Sequence, residues 1–354
     1  MKCLPASKIQ ESNGVGVHDW HAEILAIRTF NRFLLDECRN IVSDGATSDV
    51  LRRRPDAGLP DGKKPFEIND DVKLHMYCSE APCGDASMEL TMAAQGDASP
   101  WQASVRGTSD PESQSEAHLP GRAYFSKLGI VRRKPARGDA PPTLSKSCSD
   151  KIALKQCTSL LSSLTSLFID PTNAYIHSLV LPESQYSTTA CRRAFSGDGR
   201  MRSMVGRGWP GDYSFKEFVT ETTGLEFEFS KRTVKARSDK ISPSNLATAW
   251  SRSGVEETIL GGVIQGRKAF NLKGASRMSR RGMWEMARDV ASSLDQRDLG
   301  TSEYLQSETY RDIKHGPLLA QRKQVKEDTR QMALTGWIEN VGGSDFGIEG
   351  RGNH

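Results

Sequence analysis

The chain has 354 residues, 36% hydrophobic and 26% charged, enough to bury a substantial core in one large domain or two ordinary ones. No apolar run approaches the ~20 residues that span a bilayer, and the segment from Met1 to Gly14 lacks the apolar stretch of a secretory signal. A net charge of +4 is too small to name a polyanionic partner, and seven cysteines without such a signal read as reduced thiols of a cytosolic or nuclear protein.

Ile24, Ile27, Phe30, Phe33, Leu34 and Ile41 recur at helical spacing, which predicts a long helix from Asp19 to about Val42 with His21 in its first turn. Residues 43–67 are polar and carry Arg52-Arg53-Arg54-Pro55, the pattern of a loop. Val72 to Ser79 alternates as a strand and runs into Ala81-Pro82-Cys83-Gly84-Asp85, where the proline opens a short helix through about Met92. Residues 94–122 are rich in Ser, Gly, Pro and Asp and read as a disordered surface insertion. A Pro/Gly loop then leads to a buried helix over about 148–168. From Val180 a strand-to-helix unit follows, and residues 196–214 read as a basic, mobile loop. Strands are expected near 225–230, 246–251 and 256–263, helices near 275–293 and 303–334, and a flexible tail over 341–354, frayed from about Gly342. Residues 267–288 carry seven Lys/Arg and one acid, Glu285, which suits phosphate or simply a solvated helix face. The element order is that of an α/β fold around a mixed sheet flanked by helices.

One constellation carries chemistry. Zinc deaminases follow the pattern His-x-Glu…Pro-Cys-x-x-Cys, in which the glutamate is a proton shuttle and no ligand. His21-Ala22-Glu23 supplies the first half and Pro82-Cys83 the next ligand, but Gly84-Asp85-Ala86 follows where a second cysteine is usual. Cys148, at another predicted helix start, is the best candidate for the missing thiolate. Helix N-termini favour thiolates, and three protein ligands leave tetrahedral zinc an open position. Each piece alone has a plainer reading: a polar first turn for His21-Ala22-Glu23, and a buried core thiol for each cysteine.

Together "HDWHAEILAIRTFNRFLL", "SEAPCGDASM", "RRKPARGDAPPTLSKSCSDKIA", "GGVIQGRK" and "LTGWIE" resemble the adenosine-to-inosine RNA editase family, over one domain of about residues 1–340. His18-Asp19-Trp20 and the Arg-Gly-Asp-x-Pro-Pro-Thr loop are similar to the branch that acts on tRNA rather than on double-stranded RNA. The resemblance implies a cytidine-deaminase-like fold with a C-terminal elaboration. It also implies His21, Cys83 and Cys148 as zinc ligands, Glu23 as shuttle, and Arg137, Gly138 and Asp139 as a loop at the flipped base. It further implies buried inositol hexakisphosphate held by Lys2, Arg28, Lys134, Lys151, Arg280, Lys314 and Lys323, with Tyr310 and Trp337 as neutral donors. Ile27 and Leu154 depart from that pattern, standing where the editors have arginine.

Family members carry a further helix and strands ahead of the segment that "MKC" resembles, so the first strands are expected to be missing here. The implied activity is conversion of adenosine to inosine in tRNA, next to the anticodon of alanine tRNA, with tRNA as partner, no membrane, and no protein partner inferable. Two rivals are an editor of double-stranded RNA and a catalytically impaired RNA-binding fragment on the same scaffold.

Overall fold

The apolar spacing near the start produces α1 (Ala22–Ser43). In this computed structural model, residues 2–54, 64–94, 127–134, 141–242, 244–294 and 299–348 are described. The substrate loop Arg137, Gly138 and Asp139 and nearly all of the expected insertion lie outside them. Helix α1 serves three apolar clusters: Leu34 and Leu35 enter one, Ile27 leans on a second, and Leu25 belongs to a third.

Strand β1 (Leu51–Arg53) pairs antiparallel with β2 (Phe66–Ile68), and β3 (Leu74–Tyr77) follows. After α2 (Met88–Ala93) and α3 (Cys148–Thr158) the chain returns as β4 (Ile176–Pro182), then α4 (Thr188–Phe195). A small hairpin, β5 (Gly208–Trp209) and β6 (Tyr213–Ser214), precedes β7 (Val219–Thr223). Strands β3, β4 and β7 form a parallel sheet in that order. Parallel neighbours need long crossovers, and α2, α3 and α4 are carried on them. Beyond α5 (Lys231–Arg237), the strands β8 (Ala247–Trp250), β9 (Glu256–Leu260) and β10 (Val263–Ile264) make an antiparallel sheet in the order β10-β9-β8. The C-terminal helices are α6 (Arg280–Ser293), α7 (Leu299–Leu305), α8 (Tyr310–His315) and α9 (Ala320–Met332). The class is therefore α/β, with sheets flanked by helices, as expected. No described helix is long and apolar enough to cross a membrane.

Several local expectations differ from the structure. The expected loop 43–67 contains β1 and the start of β2, and the expected loop 196–214 contains the β5–β6 hairpin, because cross-strand pairing orders these short polar stretches. The helix from Cys148 ends at Thr158 rather than near 168, because Ser159 takes a left-handed backbone (φ 56°) that breaks the turn. The strand expected at 225–230 instead is β7 at Val219–Thr223, and the chain after Ser230 is helical. The long helix over 303–334 is three helices: Thr309 caps α8 with a reciprocal Asp312 capping box, and Gly316-Pro317 separates α8 from α9. The tail does not fray at Gly342, since Phe346 is buried against Trp284 and Tyr310 and its carbonyl accepts from the Tyr310 N–H at 2.9 Å.

Candidate active site

His21 is the N-cap of α1 rather than a residue of its first turn, and its extended backbone (φ −55°, ψ 143°) turns the ring away from the helix body. Glu23 is in that first turn. Cys148 is the first residue of α3, whose N-cap Ser147 accepts from the Asp150 N–H at 3.2 Å. Cys83 is tied to the same helix start from another direction. The Cys148 N–H donates to Cys83 Sγ at 3.3 Å, the Ser149 N–H donates to the Cys83 carbonyl at 3.0 Å, and Ser149 Oγ donates to the Pro82 carbonyl at 2.9 Å. Gly84 makes this approach possible, because with φ 106° a Cβ there would lie 2.2 Å from Ser147 Oγ.

One ligand atom from each of His21, Cys83 and Cys148 falls within 4.8 Å of the others, so three segments remote in sequence meet at one point. Cys3, read from sequence as a core thiol, forms a second such group with Asp19 and His21. A hydrogen bond with Cys148, opposed by burial and helped by Lys134 and His21, holds the Cys83 thiol well below its ordinary value. Burial, with Cys83 close by, pushes the Glu23 carboxyl up. Burial thus favours the protonated form of this acid beside two thiols and an imidazole.

Asp19 organises the floor of the site, and sequence reasoning gave it no role. It is 3% exposed, and its Oδ1 accepts from the His21 N–H at 3.1 Å. Its Oδ2 accepts from Lys134 Nζ and Ser145 Oγ, both at 2.9 Å, and from Lys151. Lys134 Nζ in turn lies 3.2 Å from Cys148 Sγ. Against the pull of burial, Asp19 and the thiols keep the Lys134 ammonium charged, well above its ordinary pKa. Lys134 thus sits at this site, and Lys151, on the same Asp19 oxygen, joins it to the cations behind. Lys2 is also here, close enough to Glu23 to act on it electrostatically.

Behind Asp19 lies a second, strongly cationic region. Arg280, Arg28, Lys151 and Lys314 all face His18, which burial and these cations hold neutral. Tyr310 is buried beside Arg280, whose guanidinium lies 5.9 Å from its ring. Sequence reasoning missed Lys155, Arg322, Lys326 and Arg330. Lys326 and Lys155 are driven well below their ordinary pKa by burial and then by neighbouring cations. Lys155 follows Leu154 directly, so the chain supplies a cation one position beyond the absent arginine. A cavity of about 470 Å³ opens among Lys314, Arg322, Lys326 and Arg330. Buried Nε atoms of Arg322 and Arg330 have no hydrogen-bond partner among the described residues. Lys323 is only at its rim, exposed and 3.7 Å from Glu327, and Trp337 is covered by Lys146 and Arg330 at 5.4 and 5.1 Å.

Residues 1–341 match the family described as the adenosine-deaminase (editase) domain. The chain belongs to that family. Among editase-family relatives, tRNA-specific adenosine deaminase 1 of Schizosaccharomyces pombe is 35% identical over 349 residues, 98% of this chain and 82% of that protein. The Saccharomyces cerevisiae protein of the same name is 34% identical over 194 residues, 53% of this chain and 46% of its own length. Double-stranded RNA-specific editase Adar of Drosophila melanogaster is 27% identical over 206 residues, 54% of this chain and 28% of that protein. The span and identity of the first relative favour the tRNA branch within the editase family.

Proposed function

We propose that the chain hydrolyses adenosine to inosine in tRNA, releasing ammonia. The observation that carries this reading is the convergence of His21, Cys83 and Cys148 with Glu23 alongside, in a chain of the editase family. One imidazole and two thiols, one of them already acidified, form a donor set suited to zinc. These three residues would hold the ion, which when bound acts as a Lewis acid on a water. Glu23 takes a proton from the attacking water and passes it to adenine N1, then takes the second from the new C6 hydroxyl and delivers it to the departing amine, which leaves as ammonia. Lys134 donates toward the Cys148 sulfur and Asp19 fixes both Lys134 and the His21 backbone, so the ligand set is held before substrate arrives. The base next to the anticodon of alanine tRNA is the target we propose, with Arg137, Gly138 and Asp139 against the space that the flipped base leaves.

The cationic cavity fits a small polyphosphate, and inositol hexakisphosphate is the ligand we propose for it. Lys314, Arg322, Lys326 and Arg330 line it, with Lys323 at the rim, and we assign Arg28, Lys151, Lys155, Arg280 and the neutral donor Tyr310 to the adjoining buried cationic cluster. So many buried cations repel each other unless a polyanion offsets them.

The test is inosine formation in alanine tRNA by the purified chain, with zinc measured on the same sample. Wild type should carry about one zinc per chain and form inosine, and His21→Ala should lose both. Inosine formed by a zinc-free chain would overturn the reading. Gly84→Ala should also lower zinc content, because its side chain pushes Cys83 off the start of α3. Full zinc occupancy in that variant would show that the approach of the two segments is not what positions Cys83.

A further inference from the structure

The segment between β7 and α5 presents an apolar face to solvent beside the chain that carries Cys83. Leu225, Phe227 and Phe229 alternate with Glu226 and Glu228. Leu225 is 78% exposed, Phe229 71% and Phe227 49%, and the two phenyl rings meet edge to face with centroids 5.7 Å apart. The alternate acids are used internally. Arg232 pairs with Glu226 at 2.7 Å and Arg237 with Glu228 at 3.1 Å.

Those pairs do not merely decorate the surface. Arg232 also donates to the Ser79 carbonyl at 2.6 Å and pairs with Glu80 at 3.0 Å. Tyr77 Oη donates to the Leu225 carbonyl at 3.3 Å. The aromatic segment is therefore bolted to the stretch that ends β3 and leads directly to Cys83. With Glu226 and Glu228 engaged by arginines, Lys231 and Lys235 form no ion pair among the described residues, and the outward charge is positive.

Exposed aromatic rings are costly to leave in water, and rings followed at once by exposed lysines on α5, beside a nucleotide-processing site, match one occupant well. Unpaired bases stack on aromatic faces while lysines follow the backbone phosphates. We infer that Phe227 and Phe229, with Lys231 and Lys235, dock the unpaired loop of the RNA substrate and stack one of its bases beside the one undergoing reaction. This rests on the RNA-deaminase reading above and adds to it the feature that separates a loop from a duplex: free base faces.

The experiment measures binding of two dye-labelled RNAs, an anticodon stem–loop and a fully paired duplex of equal length, by fluorescence anisotropy. The full chain is compared with Phe227→Ala/Phe229→Ala and with Lys231→Ala/Lys235→Ala. The phenylalanine variant should bind the stem–loop about tenfold or more weakly and the duplex as wild type does. The lysine variant should weaken both RNAs and flatten the salt dependence, by about 0.7 in slope for each phosphate on a single strand that is no longer neutralised. Unchanged stem–loop binding in the phenylalanine variant would overturn the inference, as would an equal loss on both RNAs. Inosine formed by wild type alongside unchanged binding in that variant would remove the docking surface and leave the deaminase reading standing. Phenylalanine-dependent binding without inosine would do the reverse.

Discussion

Glu23→Gln lowers inosine formation by at least about 10²–10⁴-fold while zinc content and thermal midpoint stay at wild-type values. The expectation follows from how many proton movements one carboxyl serves. Water must lose a proton, N1 must gain one, and the amine must leave as ammonia. Within this site no other described acid is close to His21, Cys83 and Cys148 except Asp19, which is committed to Lys134, Lys151 and Ser145. Glutamine keeps the size of the side chain and its place in the first turn of α1, but accepts no proton. Because Glu23 is not in the group of metal-ligating atoms, its loss should leave metal binding intact. A variant that retains a tenth of the wild-type rate would show that another group moves the protons. A variant that loses zinc would make Glu23 a ligand instead.

The second large effect concerns the cationic cavity. Burial, then Arg280, lower the Lys314 ammonium from 10.5 to about 8, with Glu339 opposing and Arg330 adding to the shift. Lys155 and Lys326 move in the same direction. For a base whose folded pKa is depressed, the unfolded chain binds more protons between the two values, so stability rises with pH in that window. A chain freed of polyphosphate should therefore gain stability from about pH 8 to 10.5 and be least stable below it. Inositol hexakisphosphate should raise the melting temperature at neutral pH and flatten that slope. At a hundredfold excess over its dissociation constant the gain is about 2.7 kcal/mol. Differential scanning fluorimetry across pH, with and without the polyanion, measures both. A melting temperature indifferent to the polyanion, or stability falling through that window, would exclude it as the cavity's ligand.

What the sequence made legible was local and periodic. Helix α1 follows from its apolar spacing, and the three zinc-site residues could be found because each sits at a segment start marked by proline, serine or a polar turn. The break at Ser159 was invisible, since nothing in Thr158-Ser159 specifies a left-handed residue. The break at Gly316-Pro317 was written in plain residues, yet the charged run of α9 masks it. The roles of Asp19 and Lys134 depend on partners more than a hundred residues apart in sequence, such as Asp19 with Lys134 and Ser145. Lys155, Lys326 and Arg322 went unremarked because nothing in the sequence sets them apart from the cations that mostly lie on surfaces, and only packing shows them turned inward.

The segment ahead of α1 has a practical bearing. The Trp20 N–H donates to the Lys2 carbonyl, the Leu4 N–H donates to the His18 carbonyl, and Cys3 bridges to Asp19, so the second residue is stitched next to Glu23. Residues 2–4 are thus part of the wall of the site, with Lys2 acting on Glu23 and Cys3 grouped with Asp19 and His21. A substitution at Lys2 or Cys3 would therefore be felt in the chemistry of Glu23 and His21, not only in the anchoring of a chain terminus.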